Sequence, residues 1–155
     1  GSLFSSPWKH SVFTLLGEER HLDDVEHGLL RGAPGFNEPR IHFAVNCASI
    51  GCPALRPEAF TAAALDAQLE DQTRRFLRDR SRNRYDAASD ELELSKIFDW
   101  YAVDFERDWR GTRSVGGFAA LYADALALPA EVATRASSGD LAVDWTEYDW
   151  ALNRP

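Results

Sequence analysis

With 155 residues, 45% of them hydrophobic and 12% aromatic, the chain is long enough for one packed core and short for two, so a single domain over residues 1–155 is expected. The formal charge of −8, with 15 Arg against 2 Lys, argues against a nucleic-acid partner. No apolar run approaches the roughly 20 residues that cross a bilayer, so no membrane span is expected.

Gly1-Ser2 stands where a translation product would carry Met, and the sequence contains no Met at all. The chain is therefore expected to be a piece of a longer product. Ser11 to Leu16 reads as a strand or half-hairpin closed by Gly17-Glu18-Glu19. Leu22, Val25, Leu29 and Leu30 then recur at helical spacing with Asp23 and Asp24 near the start, predicting a helix over 22–31 stopped by Gly32, Pro34 and Gly35. Ile41, Phe43, Val45 and Cys47 alternate with His42, Ala44 and Asn46, predicting a central strand that runs into a turn bracketed by Pro53 and Pro57.

Thr61 to Arg78 reads as a helix with Leu65, Leu69 and Phe76 on one stripe. Arg80 to Asp90 reads as a mobile loop, and Leu92 and Leu94 as a short strand before Ser95, the expected N-cap of a helix reaching Phe105. A helix from about Ser114 to Leu128 stops at Pro129, and Ser137-Ser138-Gly139-Asp140 turns the chain into a last strand over 141–148. The fold class expected is α+β, with several packed helices and a small, mostly antiparallel sheet.

Helical phasing aims one polar side chain inward from each of three helices: Glu26, Gln72 and Asp104. A buried carboxylate needs a partner, and Arg31 and Arg40 are the nearest candidates in sequence. These groups either tie down helix ends or gather around a site. The run Arg74, Arg75, Arg78, Arg80, Arg82 and Arg84 either grips an anionic ligand or lies solvated.

Both cysteines, Cys47 and Cys52, sit in the turn after the expected strand, where loops on a rigid scaffold carry chemistry. A thiol becomes a good nucleophile when a neighbour lowers its pKa, and His27 and His42 are the imidazoles on offer. A regular strand would turn His42 away from Cys47, which makes His27 the preferred base, with Asn46 to orient it or to donate to an oxyanion. Two other readings stay open: a buried inert thiol, and a Cys47–Cys52 disulfide clipping the turn at a chain-entropy gain of roughly 2 kcal/mol. C-x4-C with scattered histidines matches no zinc spacing, and there is no phosphate loop, G-x-S-x-G elbow or H-E-x-x-H, so neither metal nor cofactor is expected.

Several stretches together resemble the domain-of-unknown-function 547 family of bacterial and plant proteins: Phe4 to Trp8, Leu22 to Arg31, Pro39 to Pro53, Leu94 to Tyr101 and Tyr148 to Asn153. The resemblance implies a papain-like or transglutaminase-like fold by analogy, a cysteine-centred site, and a periplasmic or otherwise exported setting, with a cytoplasmic one still open. The family's aromatic W-x-N-x-Y-N opening helix is absent, so the domain is expected to lack that helix. The function expected is a cysteine-dependent hydrolase or transferase in which Cys47 attacks an acyl carbon or a disulfide, His27 is the base and Asn46 assists. Its substrate would be a peptide, an amide or a small thiol such as glutathione. The other reading is a non-catalytic binding or scaffold module, with a protein partner and with Glu26, Arg31, His42, Gln72 and Asp104 structural.

Overall fold

Phe43 lies at the centre of the larger packed unit, fully buried, with ring centroids 5.0 Å from Phe76, 5.5 Å from Phe98, 6.0 Å from Phe105 and 6.1 Å from Phe118. The structure, a computed structural model, describes residues 10, 11, 13–32 and 35–154; the expected elements at Phe4 to Trp8 and at Pro34 lie outside them. The chain divides into two compact units, Gly1–Asn37 and Glu38–Pro155.

In the first unit β1 (Phe13–Leu15) and β2 (Glu18–Arg20) pair antiparallel. Leu16 and Gly17, at φ 55° and 83°, make the left-handed two-residue turn that matches strand twist. The expected helix over 22–31 forms largely as a π-helical segment, Asp24–Leu30, whose closing bond runs from Arg31 N–H to the Glu26 carbonyl at 3.1 Å. Leu22 and Leu29 of the expected stripe are exposed, 41% and 36%.

The second unit begins with a correction. Residues 41–47 form no strand; Pro39–Phe43 is a 3-10 helix followed by a turn. Pro39 presets the first dihedral, the Glu38 carboxylate accepts the Arg40 N–H at 3.2 Å, and the three-residue period places Arg40 and Phe43 on one inward face. Helix α1 (Leu65–Leu77) buries Leu69, Gln72 and Phe76 as its stripe predicts, while Leu65 stays outside. The loop expected over 80–90 contains β3 (Arg84–Asp86), which pairs antiparallel with β4 (Glu91–Ser95).

Leu92 and Leu94 of β4 are fully buried, and Ser95 caps the next helix by accepting the Ile97 N–H at 3.3 Å. Instead of one helix to Phe105 there are two short ones, α2 (Lys96–Trp100) and α3 (Ala102–Phe105), broken at Tyr101. The expected helix over 114–128 likewise divides into α4 (Val115–Leu121) and α5 (Ala123–Leu126) at Tyr122. An unanticipated α6 (Ala130–Ser138) follows, capped by Gly139 at φ 84°. Gly116 lets α4 and α6 close, since a Cβ there would stand 2.9 Å from the Ala136 carbonyl oxygen.

Finally β5 (Ala142–Thr146) pairs parallel with β4 and completes the order β3-β4-β5. The fold class is α+β, with mostly antiparallel pairing. Among the described residues no helix is long and apolar enough to cross a membrane.

Arg135 of α6 donates two bonds, 2.9 and 2.7 Å, to Asp90 in the β3–β4 turn and, with the Tyr85 hydroxyl, holds that carboxyl down to about 2. The folded pKa lies below the ordinary unfolded value of about 3.9, so this stabilisation is present above about pH 4 and is lost as pH falls through about 2. Asp90→Asn, which tolerates the left-handed φ of 58°, is expected to flatten the acid limb in that window; denaturant midpoints between pH 2 and 5 measure it.

Candidate functional site

The loop after the 3-10 helix is fastened from three sides. Asn46 closes it from within: its carboxamide donates to the Pro53 carbonyl at 2.7 Å and accepts the Ala48 N–H at 2.8 Å. From the C-terminal segment come a bond from Ile50 N–H to the Ala151 carbonyl at 2.8 Å, one from Gly51 N–H to Asp149 at 2.9 Å, and one from Asn153 N–H to Ala48 at 2.8 Å. Arg82 supplies the third anchor, donating to the carbonyls of Ile50, Gly51 and Cys52 while its Nε lies 3.1 Å from Asp79 Oδ2.

Inside this frame Cys47 and Cys52 form a disulfide, with Cα atoms 6.2 Å apart. The bridge is the arrangement present, so Cys47 is not the free thiol of the nucleophile reading; both cysteines are bonded. The two sulfurs differ in surroundings: residue 47 is exposed, whereas Cys52 is 7% exposed.

Donors crowd the buried sulfur. Cys47 N–H donates to Cys52 Sγ at 3.0 Å, and the Tyr148 and Ser49 hydroxyls lie 3.3 and 3.5 Å from that sulfur and 3.4 and 3.2 Å from Cys47 Sγ. Ser49 Oγ and Tyr148 Oη are 2.7 Å apart, so a relay from Ser49 through Tyr148 to sulfur uses each hydroxyl's single proton. Gly51 is what admits the tyrosine, because a Cβ there would stand 2.7 Å from the ring. Trp100 and Trp150 pack on Tyr148 with centroids at 4.7 and 4.6 Å.

The remaining expected site residues fall into separate groups. His27 lies in the first unit, where its Nδ1 is 2.7 Å from Arg31 Nη1 and its Nε2 is 3.8 Å from Asp23 and 4.0 Å from Glu26. Asn46 spends its carboxamide on the loop itself. His42 is buried with Nε2 2.9 Å from Asp104 Oδ2 and its ring stacked on Tyr101 at 4.0 Å. Asp104 thus points inward as phased, and Arg107 approaches its other oxygen at 3.5 Å. Gln72 is 2% exposed and donates to the Ala54 carbonyl.

Arg40 does not serve those groups as expected. Its guanidinium grips Glu38 with two bonds, 2.8 and 2.6 Å, Asp66 at 2.7 Å and Glu70 at 3.2 Å, and the hydrogen bonds to Glu38 above all raise it above its ordinary value. Burial pushes Glu70 up, yet the Tyr122 hydroxyl, Arg110 and Arg74 outweigh it and hold that carboxyl low.

Sequence reasoning missed Tyr148, Ser49 and Arg82 as members of the disulfide site. Tyr148 stood inside a matched motif, but nothing local shows where its hydroxyl ends. Among the described residues no group of three or more His, Cys, Asp or Glu stands together to hold a metal ion.

The family model described as "Protein of unknown function, DUF547" matches residues 2–77. No curated protein and no solved structure matches the chain.

Proposed function

The chain belongs to the DUF547 family, and from that premise we propose that Cys47 and Cys52 form a thiol–disulfide site that exchanges with a small thiol or a cysteine-bearing peptide. The observation that carries this reading is the asymmetry of the bridge: an exposed Cys47, and a buried Cys52 whose sulfur alone accepts the Cys47 N–H, at 3.0 Å, while the Tyr148 hydroxyl stands within reach of both sulfurs, 3.3 Å from Cys52 and 3.4 Å from Cys47. Exchange needs one sulfur open to attack and the other able to leave as thiolate. A donor strengthens when its acceptor becomes an anion, so the Cys47 N–H favours Cys52 as the leaving group, and Tyr148 can turn its proton to the same thiolate.

In the first step an incoming thiolate attacks Cys47 Sγ. A sulfur–sulfur bond to the substrate forms, the Cys47–Cys52 bond breaks, and the electron pair leaves on Cys52, which then takes a proton from solvent. A second thiol attacks the substrate sulfur of the mixed disulfide and releases the oxidised pair, with Cys47 leaving as thiolate. Two thiols become one disulfide while the protein bridge becomes a dithiol; with a disulfide substrate the steps run backward. Reduced Cys47 is also the nucleophile that a papain-like or transglutaminase-like relation would use on a peptide or amide. A bridged resting state suits an oxidising compartment such as the periplasm.

Mass spectrometry after native incubation with millimolar glutathione and acid quench tests the proposal. The expected product is a glutathione adduct at Cys47 with Cys52 free to alkylate, formed about tenfold more slowly in Tyr148→Phe, where one charge-assisted bond is lost. A bridge that resists glutathione until the protein unfolds, with Cys47→Ala/Cys52→Ala losing only stability, would falsify it. That outcome is what the scaffold reading requires, and the triple anchoring by Arg82 favours that reading.

A further inference from the structure

On the Cys52 side of the loop lies a cleft of about 250 Å³, room for a single residue or a compact acid and below the usual volume of a drug-sized pocket. Its apolar wall is Ile50, Ala54 and Phe76, and the buried Gln72 and Cys52 also line it. Arg82 and Asp79, which also border it, neutralise each other through their 3.1 Å contact. Two polar side chains on the rim stay uncommitted: among the described residues the Arg75 guanidinium and the Asn153 carboxamide make no hydrogen bond, and Arg75 makes no ion pair.

Three neighbouring arginines behave otherwise. Arg74 is spent on Glu70 and Asp124, Arg80 on the carbonyls of Leu77, Asn83 and Ala125, and Arg84 on Glu93. Within the basic run, among the described residues, the Arg75 and Arg78 side chains make no ion pair, and of these two it is Arg75 that lines the cleft. Its charge stands uncompensated on a chain of net −8, where non-specific attraction of anions is weak.

We propose that this cleft is a carboxylate-binding site, in which Arg75 takes the carboxylate by its two-pronged guanidinium edge, Asn153 donates a further bond, and Ile50, Ala54 and Phe76 cover a short apolar group attached to it. Guanidinium matches carboxylate geometry with paired N–H donors, which an ammonium cannot do. The carboxylate is that of a peptide C-terminus or of a small free acid, which share this chemistry. The site goes beyond the exchange chemistry proposed above and is independent of it: binding is measured on the bridged protein, so failure of exchange leaves it untouched.

The test follows the Arg75 Nε–H and Asn153 Nδ2–H resonances of the oxidised protein during titration with N-acetylglycine, its amide, and an acetylated tetrapeptide with a free C-terminus. Saturating shifts with the two acids and none with the amide are expected. Arg75→Gln should bind at least about tenfold more weakly, Asn153→Ala severalfold more weakly, and Arg78→Gln, which removes the same charge from a residue that does not line the cleft, as well as the wild type. The thermal midpoint of each variant separates lost binding from lost fold. Tighter binding of the tetrapeptide assigns a chain terminus, and tighter binding of the single acid a free metabolite. Equal binding of acid and amide, an equal loss in Arg78→Gln and Arg75→Gln, or shifts that rise without saturating each overturn the proposal.

Discussion

Arg40→Met is expected to cost about 3–5 kcal/mol, because it removes a buried cation and strands the Glu38 carboxylate, whose hydrogen bonds, among the described residues, all come from Arg40. The Arg40 side chain is 4% exposed, and Glu38 at 19% takes two of its guanidinium bonds. Met fills similar volume, so the loss comes from the unpaired Glu38 carboxylate more than from a cavity. For a chain of this size the melting temperature should fall by on the order of 10 °C. The double variant Arg40→Met/Glu38→Gln should recover part of the loss, since a neutral amide costs less to bury than a stranded carboxylate. Calorimetry on the single and double variants measures both effects. A single variant as stable as the wild type would mean that the network carries no net stability.

Phe43→Ala should be of similar size, about 3–5 kcal/mol, through lost transfer energy and an unfilled cavity between four rings. Its ring is fully buried and meets Phe76, Phe98, Phe105 and Phe118, which come from α1, α2, α3 and α4. Phe43→Leu, which keeps most of the volume, should cost about 1–2 kcal/mol. Ile41→Ala is the informative partner. In an extended strand Ile41 would share the face of Phe43, whereas in the 3-10 helix Ile41 is only partly buried. Urea titration should therefore rank Phe43→Ala well above Ile41→Ala, and near-equal losses would favour the strand.

The same contrast shows where sequence reading failed. Alternation of apolar and polar residues over 41–47 fits a strand, but short apolar runs do not separate strand from tight helix by period alone. The deciding groups were Pro39 and the Glu38 carboxylate just upstream, together with Arg40, whose carboxylate Asp66 lies 26 positions away. The splits at Tyr101 and Tyr122 have the same origin: both interrupted helices keep an apolar period, and tertiary packing decides where each one breaks.

Local chemistry was enough for much of the chain. The stripe of α1, the Ser95 cap, the buried Leu92 and Leu94 and the inward aim of Gln72 and Asp104 all follow from residue spacing and from the backbone's need for local partners. Periodicity tells which face a side chain takes, but it does not name the group it meets there. That His42 meets Asp104 across 62 positions and that Tyr148 reaches Ser49 across 99 were set only when distant segments closed on one another. The pairing of Cys47 with Cys52, open in the sequence between bridge and free thiol, was settled the same way, by a loop that Arg82 and the C-terminal segment hold folded. Hydrophobic burial and local hydrogen bonding therefore wrote the elements into the sequence, while partner choice for the buried polar groups awaited the tertiary structure, because desolvation makes any nearby complement acceptable and only three-dimensional proximity selects one.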